Sequence, residues 1–90
     1  MQYKNDKTLL LRKTLGEKIK KQREIKAFSC NGMENAFGFS SGSVFKIENG
    51  IVDCKFMTFW KIAEALDIKP SELLKQIENE LGKNFKLIEE

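Results

Sequence analysis

The chain has no histidine, one proline and two cysteines in 90 residues. Lacking histidine, it lacks the commonest general base at neutral pH. Cys30 and Cys54 follow no metal-binding or redox spacing, and a zinc site would need two further carboxylate ligands. Both are therefore expected to be reduced, half-buried thiols, with no metal and no other cofactor. No apolar run approaches the roughly 20 residues of a membrane span, and no hydrophobic signal segment follows the N-terminus. No membrane association is expected, and the expected location is the cytoplasm. There is no phosphate-loop glycine–lysine motif and no nucleophile with an evident base. Ser41 or Ser43 near Lys46 would imitate a serine–lysine pair, but capping and turn formation account for these serines more simply. An enzyme is not expected.

What the chain does have is charge, unevenly spread. Residues 1–26 carry nine Lys or Arg against three acids, whereas 27–66 carry three against four and 67–90 four against six. Such a basic segment is either a solvated helix face or a surface for a polyanion. An ordinary apolar share with many aromatics indicates one folded domain, 1–90, small enough that pairing with a second copy would supplement its core.

The pattern reads as helix throughout. Asp6 is placed to cap a helix running to about Ile25, with Leu11, Leu15, Ile19 and Gln22 near one stripe. Ser29 caps a short segment through Phe37 that carries Met33, and Gly38 supplies the left-handed residue that ends it. Ser40 is expected to cap a third segment, about 40–48, with Val44 and Ile47 inward and Gly50 closing it. Phe59, Ile62, Ala63 and Leu66 mark a fourth helix. Pro70 opens a fifth that carries Leu73, Leu74, Ile77 and Leu81 and ends at Gly82. FKLI in the tail, 82–90, is the sole stretch with strand-like character. The expectation is an all-α bundle of five helices.

Two short helices joined at Gly38-Phe39-Ser40 outline a helix-turn-helix. Met33 before the turn, Phe39 within it, and Val44 and Ile47 after it occupy the inward positions such a unit needs. With these blocks in place the sequence resembles the phage-repressor-like helix-turn-helix proteins of the Cro and lambda-repressor type, the Xre family. The resemblance runs from Leu15 to about Leu74. It rests on LGEKIKKQRE, Phe28-Ser29, Gly38-Phe39-Ser40, Ile47-Glu48-Asn49-Gly50 and KIAEALDIKPSELL, all in ungapped register.

The resemblance implies a homodimeric, sequence-specific DNA-binding regulator on double-stranded DNA, with a pseudo-palindromic operator. It implies base reading from Ser41, Gly42 and Lys46, with Ser43 flanking them; only Lys46 has the reach to contact guanine acceptors. Phe45, where the family is usually polar, would meet a thymine methyl, the DNA backbone or a protein partner. Backbone contacts are implied for Ser29, Cys30, Lys55 and Asn49. Arg23 and Glu48 match an ion pair joining the first helix to the end of the third, which would hold Arg23 close to a phosphate. Ile68, Pro70, Leu74 and Ile77 are the expected dimer interface.

The chain departs from the family pattern at several places. Cys30 replaces a frequent glutamine, Gln22 a leucine and Cys54 a proline, and Gly32 weakens the second helix. Glu34 stands where a small residue is usual. A carboxylate there would be strained, splayed to solvent or paired with a base, and if it faced DNA it would repel it. The competing expectation is a protein-interaction module on the same fold, antitoxin-like or regulator-binding. The acidic C-terminal third, the tail residues Phe85, Leu87 and Ile88, and aromatics at Phe45 and Phe56 favour it.

Overall fold

Apolar residues three and four apart, interrupted by glycines and by Pro70, build five helices in the computed structural model, which describes the backbone of residues 2–88 and the side chains of 7–88. They are α1 (Gln2–Ile25), α2 (Cys30–Phe37), α3 (Ser43–Glu48), α4 (Phe56–Ala65) and α5 (Pro70–Leu81). No strand occurs among the described residues, and FKLI is not one. Asp6 does not start α1: the helix is already formed at Gln2, because nothing in QYKN breaks it. The side chain of Asp6 lies outside those described.

Helix ends follow local chemistry. Ser29 caps α2, its Oγ accepting from the Gly32 amide at 2.9 Å, and Gly38 leaves the helix at φ 76°. Pro70 takes the first turn of α5, where its missing N–H costs nothing. Helix α3 is shorter than the expected 40–48. Ser40 and Ser41 belong to a turn, and the cap position falls to Gly42, which has no side chain to offer.

One core draws on all five helices: Ile19, Met33, Val44, Ile47, Ile62, Ala63, Leu66 and Leu73. Each of these side chains larger than that of Ala63 contributes about 1.5–3 kcal/mol on burial. Helix α1 crosses both α3 and α5. Its approach to α3 is set by Gly16, where a Cβ would overlap the carbonyl group of Glu48. Ion pairs then tie α1 to the rest of the chain, Arg12 to Asp53 at 2.7 Å and Lys18 to Glu80 at 3.0 Å, and Lys26, just past its end, pairs with Asp67 at 3.7 Å.

Candidate nucleic-acid interface on α2 and α3

Helix α3 has only six residues, too few to be stable alone, so its position depends on what holds it. Val44 and Ile47 enter the core. At its N-terminus the free amides meet a carboxylate from the neighbouring helix. Glu34 of α2, 1 % exposed, accepts from Gly42 N at 2.9 Å, Val44 N at 2.9 Å and Phe45 N at 3.4 Å. The remaining amide, that of Ser43, donates to Ser40 O at 3.0 Å. Every orphan donor of the first turn is thereby satisfied, and the negative charge sits where the helix dipole favours it. Glu34 is therefore not strained, splayed or paired with a base. It performs the capping expected of Ser40.

The other end of α3 is locked to α1. Arg23 grips Glu48 with two hydrogen bonds, Nε to Oε2 at 2.6 Å and Nη2 to Oε1 at 3.0 Å, while Nη1 donates to Phe28 O at 2.7 Å. The bonds from Glu48 raise the Arg23 pKa against the opposing effect of burial. With all three nitrogens engaged and the side chain 11 % exposed, Arg23 forms the ion pair that the resemblance implied between α1 and the end of α3. Cys30 points into the same network, its Sγ 3.6 Å from Glu48 Oε1. Burial first, then the Glu48 charge, raises its pKa.

The turn between α2 and α3 is braced from α4. Lys61 Nζ donates to Gly38 O at 3.1 Å and lies 4.7 Å from the ring centroid of Phe39, which packs on the core. Neither Glu34 nor Lys61 is named as a holder of this turn by the pattern of apolar residues. The signal for Glu34 was its charge at a close helix contact, which admitted several outcomes until the amides facing it were known.

With α3 held this way, Ser41, Phe45, Lys46 and Asn49 are exposed, and Ser43 and Gly42 are half-buried. Ser41, Ser43, Lys46 and Lys55 line one concavity of about 320 Å³, together with Ser40, Asp53 and Thr58, of which sequence reasoning gave Ser40 a capping role and passed over the other two. The Ser43 hydroxyl donates to Ser40 O at 2.7 Å, so its proton is committed to the turn and not to Lys46. Asn49 folds back, Nδ2 donating to Phe45 O at 2.8 Å. Ser29 is exposed, but its Oγ is engaged in capping. Compared with family models, curated proteins and solved structures, the chain matches none.

Of the four residues expected at a dimer interface, Ile77 is spent on the chain's own interior at 3 % exposure. Ile68 packs against the core, Pro70 is half-buried, and Leu74 is the one that stands exposed. On α1, Lys13, Lys20 and Lys21 are exposed cations outside the ion pairs of the described residues, so part of the basic excess is consumed internally.

Cys54 carries a chemical expectation of its own. Burial, with Asp53 adding to it, pushes its thiol from 9.0 up to about 11. At pH 8 the folded chain then holds roughly 100-fold less Cys54 thiolate than an ordinary thiol would. Alkylation at Cys54, followed by mass spectrometry, is expected to be far slower in the folded than in the urea-unfolded chain. Equal rates at pH 8 would contradict the shift. Because the folded state favours the protonated form, this contribution to stability is full below pH 9.0 and is lost as pH climbs toward about 11.

Proposed function

We propose that the chain is a helix-turn-helix, sequence-specific DNA-binding regulator that acts as a homodimer, with α3 entering the major groove. One observation carries this reading. Both carboxylates between residues 27 and 52, Glu34 and Glu48, are turned inward at 1 % and 8 % exposure. The outer surface of α2, the turn and α3 thus carries neutral polar groups, Lys46 and the exposed rings of Phe37 and Phe45, with exposed Lys55 and Lys61 from α4 and its approach. With these two carboxylates inward, and with exposed Asp53 in the adjoining concavity paired to Arg12, a surface edged by lysines suits a phosphate backbone.

In this reading Lys46 reaches guanine O6 and N7, while Lys55 and the hydroxyls around the concavity meet phosphates. Ser41 and Gly42 add little reach, so DNA shape and bridging water carry much of the sequence preference. Two copies would address half-sites about 34–36 Å apart.

The test is fluorescence anisotropy against duplexes selected from a random pool, over a range of salt. Lys46→Ala is expected to weaken binding by about 1–3 kcal/mol and to relax preference at one base position. Lys20→Ala, on the exposed part of α1, serves as the comparison. If both substitutions change sequence preference equally, Lys46 does not read bases; if no salt-sensitive duplex binding exists, the DNA reading itself fails.

A protein-interaction module on the same fold is the second reading, and exposed Phe45, Phe56, Met57 and Trp60 favour it. A chain that ignores duplex DNA at low salt would leave this reading standing.

A further inference from the structure

An asparagine followed by glycine carries its own reaction, because the glycine amide attacks the side-chain carbonyl with no Cβ in the way. The chain has this step twice, at Asn31-Gly32 and at Asn49-Gly50, whereas Asn5, Asn35, Asn79 and Asn84 precede bulkier residues. Asn31 and Asn49 are both exposed, but the two attacking amides are held very differently.

Gly50 N donates to Ile47 O at 3.1 Å. Its backbone lies so close to α1 that a Cβ at position 50 would sit 3.0 Å from Lys13 Cγ. Asn49 is tied down as well, its Nδ2 donating to Phe45 O at 2.8 Å. Reaction there requires the end of α3 to leave α1. Gly32 N, in contrast, is an orphan donor in the first turn of α2, and its partner is a side chain, the Ser29 hydroxyl at 2.9 Å. The Asn31 side chain makes no hydrogen bond among the described residues. A Cβ at position 32 would lie 2.9 Å from Ser29 Oγ, so glycine here admits the cap and also leaves its own amide an open nucleophile. Ring closure needs Asn31 to leave its helical ψ, and fraying of one capped turn suffices for that.

We propose that Asn31 is a site of spontaneous deamidation whose rate is set by the Ser29 cap. The Gly32 nitrogen gives its proton to solvent and bonds to Asn31 Cγ, and the side-chain nitrogen takes up a proton and leaves as ammonia. Water then opens the succinimide at either carbonyl, to aspartate or isoaspartate. The net change is one water consumed and one ammonia released, with no oxidant, reductant or enzyme. Either product puts a carboxylate at an exposed position of α2, where both carboxylates between residues 27 and 52 are turned inward. Isoaspartate also adds a methylene to the backbone of the helix that carries Glu34.

Peptide mapping by mass spectrometry, on the full chain incubated at pH 8 and sampled over time, tests it. Asn31 is expected to convert in the folded chain while Asn49 stays intact, and both should convert in urea. Ser29→Ala should speed conversion at Asn31 about 5-fold, the factor by which loss of a typical cap favours opening, without moving Asn49. Ser29→Thr, which keeps the capping oxygen, should restore the slow rate. A general loss of stability would accelerate both steps together, so the ratio of the two rates isolates the cap. Equal rates at Asn31 and Asn49 in the folded chain, an unreactive Asn31, or a ratio unchanged by Ser29→Ala overturns the proposal. Because the readout is a mass, it holds whether or not the chain binds DNA.

Discussion

Gly16→Ala is expected to cost about 3 kcal/mol, measured by urea denaturation, and to push α3 off its seat. Alanine is the better helix former by about 1 kcal/mol, so in an isolated α1 the same change would be stabilising. The sign reverses because of what lies opposite. The added Cβ would overlap the Glu48 carbonyl, and backbone cannot swing aside as a side-chain tip can. Moving Glu48 also pulls its carboxylate from Arg23 and leaves a buried guanidinium short of its partner. Glu17→Ala, at the next and exposed position of the same helix, should change stability by no more than about 0.5 kcal/mol. Equal effects for the two would mean that α1 and α3 are not in backbone contact at Gly16.

Glu34→Gln is the second large effect, about 2–4 kcal/mol by the same measurement. Glutamine keeps the length and shape of the side chain but has only one oxygen. Its amide nitrogen would turn N–H groups toward the amides of α3, setting donor against donor in a site without water to relieve it. The loss is local, so hydrogen exchange at Val44 and Phe45 should rise more than at Ile62 or Leu73. A variant as stable as the parent would show that Glu34 is not the cap of α3.

Much of the fold was legible in the sequence. Helix-spaced apolar residues gave Met33, Val44, Ile47, Ile62, Ala63 and Leu73 as inward positions, and all six are buried. Gly38, Gly50 and Gly82 mark helix ends, each with positive φ. The start of α3 departs from the expectation because serine is the usual N-cap, whereas here the cap arrives from a residue eight to eleven positions earlier in the chain, on another helix. Periodicity sees one helix at a time and cannot register a contact of that kind. For the candidate site, sequence placed Lys46 and Ser41 on the exposed face, and the structure puts them there. The resemblance paired Arg23 with Glu48, and the structure shows that pair; it did not show that Phe28 O would take the third nitrogen or that Cys30 would join the network, because that depends on which groups find acceptors once the helices pack.

The cap supplied by Glu34 separates scaffold from surface. Had Ser40 or Ser41 held the first turn of α3, any change of those residues would have loosened the helix that displays them. Instead Ser41 makes no hydrogen bond among the described residues, and Phe45 and Lys46 use only their backbone to hold α3. The outward positions of α3 are free to vary one at a time while its anchors stay fixed. A lineage built on this chain, or a combinatorial library made from it, can exchange what the surface recognises without first having to rescue the fold.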